Sequence, residues 1–119
     1  LEYVNCGHPH PLLFYGKEIK TLDKGSTVLG MFSKLPKFTV SKIKMKRGFN
    51  LFCYTDGIIE TRNDFGDFYG SKRLLSLFKS KKIKPRKIIK SVIDDVNDFK
   101  GKNLTDDDIT LLMTIVRNE

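Results

Sequence analysis

Residues 51–57 read Leu51-Phe52-Cys53-Tyr54-Thr55-Asp56-Gly57, and the first four of them are apolar at both odd and even positions. Side chains of a strand alternate between faces, so a run that is apolar on both parities predicts a central strand covered on both sides. Asp56 follows this buried run directly and Gly57 turns the chain, which puts a carboxylate at the mouth of the strand. A second acidic group stands at the far end of the sequence, where Asp106, Asp107 and Asp108 precede Ile109, Leu111, Met113 and Ile115, alternating with Thr110, Leu112, Thr114 and Val116. That alternation predicts a strand closing the chain.

Between these two strands the period changes. Leu74, Leu75, Leu77 and Phe78 follow Ser71 closely enough for a short capped helix. Pro85 then sits at a plausible first helical position, Ile88, Ile89, Val92, Ile93, Val96 and Phe99 recur at three- and four-residue spacing, and Gly101 supplies a stop. Lys and Arg at the start of this second helix and Asp towards its end oppose the helix dipole, so its apolar face has to hold it against a sheet. Ahead of residue 51, Leu12-Leu13-Phe14-Tyr15 closed by Gly16 and the stretch from Glu18 to Leu22 predict a hairpin, with Asp23-Lys24-Gly25 as the next turn. Phe38, Val40, Ile43 and Met45 among Lys42, Lys44 and Lys46 predict a strand with one wet face and a phase slip at Ser41-Lys42. Strands, two helices and a returning strand indicate an α+β fold with antiparallel strands and two helices packed on a sheet face.

With 119 residues, and no repeat or linker-like stretch, the chain is expected to form one domain over 1–119. Hydrophobic residues make up 39% and charged residues 30%, which excludes a disordered or collagen-like chain. No uncharged run reaches the ~18 residues of a membrane span, so no membrane contact is expected. Two cysteines, Cys6 and Cys53, are too few for a disulfide scaffold and are read as reduced packing residues, with a cytoplasmic location. Twenty-two Lys and Arg against fourteen Asp and Glu give a net charge of +8. The basic residues lie mostly before residue 50 and within 79–90 (Lys79, Lys81, Lys82, Lys84, Arg86, Lys87, Lys90), without interleaved aromatic residues to stack on bases. A solvated Lys-rich surface is therefore expected in preference to a nucleic-acid site.

The chemistry concentrates at the two acidic strand mouths. If those strands are neighbours, their carboxylates meet, and oxygen donors without nearby His or Cys favour Mg²⁺ or Mn²⁺ over Zn²⁺. Equally, Asp56 with Gly57 can form an Asx-turn and the aspartate run a solvated loop. His8 and His10 lack the ligand count of a zinc site around Cys6.

Five pieces in order carry a resemblance: Asn5-Cys6-Gly7-His8-Pro9; Val28-Leu29-Gly30; Tyr54-Thr55-Asp56-Gly57 with Glu60; Phe68-Tyr69-Gly70 with Arg73-Leu74; and Asp107-Asp108-Ile109-Thr110. Together they resemble the C-terminal part of the SpoIIE/RsbU-type metal-dependent protein serine/threonine phosphatases of the PPM superfamily. The resemblance implies part of an α/β/β/α sandwich with a site for two Mn²⁺ or Mg²⁺ ions, acting on phosphoserine or phosphothreonine. It implies as substrate a phosphorylated protein, such as an anti-anti-sigma-factor-like partner in bacterial signalling. By position it implies Asp56 and Asp107 as metal ligands, Asp108 and Gly57 as supporting residues, and Glu60 as a contributor through water. His8 stands where more distant relatives carry an acid, and Asn5 and Gly7 shape a turn. The glycine-rich aspartate motif that supplies the family's bridging carboxylate does not stand before Asn5. A chain cut from a longer protein is the favoured explanation, over a naturally truncated relative or a completing partner chain. Such a piece is expected to be nearly inactive alone and to self-associate through an uncovered sheet face. The competing expectation is a non-catalytic phosphatase-like module that recruits an acidic partner protein.

Overall fold

The structure, a computed structural model, describes residues 1–34, 36–46, 48–80, 83–104 and 107–117. Asp106, and Lys81 and Lys82 of the basic stretch, lie outside the described residues. The chain is α+β, as its changing periodicity predicts, and divides into two compact units, Leu1–Cys53 with Thr114–Glu119, and Tyr54–Met113.

The first unit is built from strands. β1 (Glu2–Tyr3), β2 (Asn5–Cys6), β3 (Leu12–Tyr15), β4 (Glu18–Thr21), β5 (Gly25–Ser26), β6 (Ser41–Lys42) and β7 (Phe49–Tyr54) follow in sequence, and β8 (Leu111–Val116) returns at the end of the chain. The main sheet has the order β4-β3-β7-β8. β3 and β4 form the expected hairpin, with Tyr15 opposite Glu18 and Gly16 at φ +65°, the backbone region a two-residue loop requires. On its other edge β3 runs antiparallel to β7, placing Leu12 opposite Phe52 and Leu13 opposite Leu51. β7 is thus an interior strand. Its coverage is uneven: Phe52 and Tyr54 are buried, whereas Leu51 and Cys53 on the opposite parity are half-buried. Burial pushes the Cys53 thiol up, and Cys6 and Cys53 are both free.

The stretch around residues 38–46 departs from expectation. Only Ser41–Lys42 becomes a strand, paired antiparallel with β1, and Phe38 and Val40 are exposed. Alternation alone does not make a strand without a ladder partner, and β1 offers two residues of pairing. Two short parallel and antiparallel pairs, β2 with β5 and β1 with β6, complete this unit.

The second unit carries the helices α1 (Asp56–Ile59), α2 (Gly70–Ser80) and α3 (Ile88–Lys100), the last entered through a 3₁₀ turn at Pro85–Lys87. Pro85 at the head of that turn has no N–H to leave unpaired. Ile88, Val92 and Val96, spaced by four, are buried on one face of α3, and Gly101 ends the helix at φ +62°. With Tyr54, Ile58, Tyr69, Leu74, Leu77 and Phe78 they make up the apolar interior of this unit. Ser71 does not cap α2, because the helix already begins at Gly70, whose φ of +74° makes the turn into it. Among the described residues no helix is long and apolar enough to cross a membrane.

Candidate active site

Asp56 is the first residue of α1, a single helical turn, so the chain leaves β7 by winding rather than by a simple turn. The carbonyl of Asp56 accepts the N–H of Glu60 at 2.8 Å, which closes that turn and fixes Glu60 one turn beyond Asp56. Thr55 occupies the N-cap position without capping the helix. Its hydroxyl is used across the chain instead: Oγ1 donates to the carbonyl of Asp108 at 3.0 Å and accepts the N–H of Thr110 at 2.9 Å. The backbone N–H of Thr55 donates to the carbonyl of Thr110 at 3.1 Å. Three hydrogen bonds from one residue therefore hold the exit of β7 against the entry to β8.

Gly57 completes this contact. A Cβ at residue 57 would stand 2.5 Å from the carbonyl oxygen of Asp108, closer than a side chain tolerates, and 3.4 Å from that of Asp107. The missing side chain lets the 107–108 backbone lie directly on α1. Asp107 turns its Oδ1 onto the N–H of Asp108 at 2.7 Å, and both aspartates are exposed, as is Asp56. Asp56 and Gly57, at the start of α1, and Asp107 and Asp108, ahead of β8, thus come together within one unit. Asp107 also lines a pocket of ≈ 230 Å³ together with Gly57, Glu60, Thr61, Arg62 and Phe68.

Thr61, Arg62 and Phe68 bring to the pocket a loop, residues 61–69, of which only Phe68-Tyr69 stood among the motif pieces of the sequence. Thr61 is buried, with Oγ1 donating to the carbonyl of Gly57 at 2.7 Å, and its own carbonyl accepts the N–H of Tyr69 at 2.8 Å. Asn63 organises the tip: Oδ1 accepts the N–H groups of Phe65 at 3.0 Å and Asp67 at 2.8 Å, and Nδ2 donates to the Asp67 carboxylate at 3.1 Å. Arg62 pairs across the loop with Phe68, its guanidinium 4.0 Å above the Phe68 ring, and Nη1 donates to the carbonyl of Gly66 at 3.0 Å. The Asn63-Asp64-Phe65-Gly66-Asp67 cluster is a turn signal that would have pointed to this loop.

Behind the loop, Tyr69 donates its hydroxyl to Asp95 Oδ2 at 2.7 Å, and Arg73 Nε donates to the same oxygen at 2.9 Å. Burial, reinforced by that carboxylate, pushes the Tyr69 hydroxyl far above its ordinary range. Tyr69 also meets Phe99 edge-on, with ring centroids 5.4 Å apart, and Arg73 lies 4.8 Å over Phe99. This cluster joins the start of α2 to the second half of α3 and anchors the end of the 61–69 loop.

Asn5, Gly7 and His8 belong to the first unit. Asn5 Oδ1 accepts the N–H of His8 at 2.9 Å, Nδ2 donates to the His8 carbonyl at 2.9 Å, and Gly7 holds φ +91° between them. A side chain on Gly7 would collide with Val28.

A family model, that of Stage II sporulation protein E, matches residues 1–117. The chain belongs to the SpoIIE family. Among curated proteins, this SpoIIE-family chain is similar to Protein IcfG of Synechocystis sp., at 26% identity over 119 residues that make up 99% of the chain and 18% of the relative. Among solved structures it is similar to the SiaA-PP2C domain of Pseudomonas aeruginosa, with a TM-score of 0.77 and 15% identity over 99% of the chain and 46% of that domain. It is also similar to the RsbU and RsbW domains of a Mycobacterium tuberculosis protein, with a TM-score of 0.61 and 23% identity over 98% of the chain and 32% of that structure. These likenesses show the fold, that of part of a PP2C-type domain, and the SpoIIE-family chain spans less than half of each of these three proteins.

Asp56, Glu60 and Asp107 are all hard oxygen donors on exposed positions, the kind Mg²⁺ and Mn²⁺ take, and a softer ligand lies on none of these loops. Among the described residues no group of three His, Cys, Asp or Glu side chains converges on one point. The residues fit a hard cation in kind and provide part of the six ligands it takes.

Proposed function

We propose that residues 1–119 form the C-terminal portion of a metal-dependent protein phosphatase domain acting on phosphoserine or phosphothreonine, in bacterial partner-switching signalling. The observation that carries this reading is the clasp between Thr55–Gly57 and Asp107–Thr110, which sets two exposed acidic loops side by side at a pocket in a SpoIIE-family chain. Asp56 and Asp107 would hold Mn²⁺ or Mg²⁺, with Asp108 supporting the loop and Glu60 acting through water. When bound, two such cations supply an acidified water and a clamp for phosphate oxygens. The chain's own contribution is positional. Thr55 and Gly57 fix the spacing of the loops, and the α1 turn fixes Glu60 relative to Asp56. Cys53, half-buried and with its thiol pushed up, is a poor nucleophile, so the residues favour attack by water over a cysteinyl-phosphate route. The substrate would be a phosphorylated protein, such as an anti-anti-sigma-factor-like partner.

The test is Mn²⁺-dependent release of phosphate from a phosphoserine protein by the intact protein, compared with Asp56→Asn and Asp107→Asn. Either substitution is expected to abolish turnover and to remove the paramagnetic broadening that trace Mn²⁺ produces at amides 55–60 and 107–110. Full activity in both variants would overturn the proposal.

A further inference from the structure

We propose that Arg62 is a phosphoryl-binding residue of this pocket, holding the phosphate group of the substrate beside the Glu60 and Asp107 carboxylates. The inference rests on the phosphatase reading and adds to it a residue that holds the substrate. Three observations carry it.

The first is charge. Of the residues lining the pocket, Glu60 and Asp107 are acidic and Arg62 alone is basic. A phosphate entering beside two carboxylates meets repulsion that Arg62 is placed to offset. The second is that Arg62 is held in position without its charge being consumed. Among the described residues it forms no ion pair; Nη1 donates to the neutral carbonyl of Gly66, and its flat face rests on Phe68. A guanidinium so held keeps a hydrogen-bonding edge for an oxyanion, and its planar fork matches a phosphate with two parallel N–H donors. The third is that the platform is rigid for a local reason. Asn63 closes the loop tip with three side-chain hydrogen bonds, Thr61 ties its base to Gly57, and the Arg62–Phe68 bridge joins its two arms. Order of that kind is already in place before a ligand arrives, so little is lost in immobilising Arg62 on binding.

The experiment is calorimetric titration of inorganic phosphate into the intact protein at fixed Mn²⁺, with KM and kcat measured on a phosphoserine peptide. Arg62→Ala is expected to weaken phosphate binding and raise KM about 10- to 100-fold, the loss of hydrogen bonds to a charged group, with kcat changed far less. Arg62→Lys is expected to recover part of the affinity, and Arg62→Gln, which keeps the stem over Phe68, to behave like Ala. Unchanged phosphate affinity in Ala and Gln variants that melt like wild type would overturn the inference, as would a wild-type protein that binds no phosphate. Arg62-dependent phosphate binding without turnover would uphold the inference and sink the catalytic reading. Turnover with a KM indifferent to residue 62 would do the reverse.

Discussion

Gly57 lies directly beneath the carbonyl of Asp108, so closely that a Cβ there would stand 2.5 Å from the oxygen. Nothing in the conformation of Gly57 demands glycine, since its φ is not positive; the demand comes from the neighbouring loop. Gly57→Ala is therefore expected to push residues 107–108 away and to cost about 1–3 kcal/mol, the usual penalty of forcing an extra carbon into a packed site. Urea denaturation checks the cost, and shifts of the amides of residues 107–110 show where it falls.

Thr55→Val is expected to destabilise the second unit by about 1–2 kcal/mol, because one hydroxyl serves both the Asp108 carbonyl and the Thr110 N–H. Thr55→Ser keeps the hydroxyl and should recover most of the loss. Faster hydrogen exchange at Thr110 in the Val variant alone would locate the effect.

Tyr69 makes stability depend on alkaline pH. Its folded-state ionisation lies above the unfolded value of about 10, so the folded form holds its proton where the unfolded form has released it. The stabilisation is whole below pH ~10 and is lost as the pH rises further. Denaturation midpoints followed from pH 8 to 11 should fall more steeply above pH ~10 in wild type than in Tyr69→Phe. Asp95→Asn removes the carboxylate that helps hold the hydroxyl protonated, and should lower the Tyr69 transition seen in phenolate absorbance.

Leucines of like composition should differ sharply. Leu74 is fully buried on α2, and Leu74→Ala is expected to cost about 2–5 kcal/mol through the cavity it leaves. Leu104, 86% exposed, should change stability by no more than about 0.5 kcal/mol when replaced by Ala. Paired thermal melts decide the comparison.

Strong periodic signals were legible in the sequence. The apolar run at 51–54 gave an interior strand, the four-residue spacing from Ile88 gave α3, and the alternation after Asp108 gave β8, although the strand starts at Leu111 and not at Ile109. The α+β class followed from these. What escaped depends on partners far away in sequence. Phe38 and Val40 alternate as strand residues do, yet a ladder needs a neighbour that local pattern cannot reveal. Thr55 stood inside a motif with no role of its own, which appears only when residues 108 and 110 arrive beside it. The acidic ends of the two strands were visible as candidates, but Arg62 and Asn63 were not, since an isolated Arg or Asn in a turn has the same local appearance whether it lines a pocket or faces water. Tyr69 and Arg73 were visible only as part of a motif; Asp95, twenty-two residues beyond Arg73, gives them a physical reason.

The loop organised by Asn63 has a consequence for how such a protein diversifies. The order of its tip is written in backbone groups and in the side chains of Arg62, Asn63 and Asp67, while Phe65 at the tip is 90% exposed. Residue 65 can therefore be exchanged without disturbing the hydrogen bonds that shape the loop around it. Related chains are free to vary this one position and alter whatever surface meets the loop, while the fold bears almost none of the cost of the experiment.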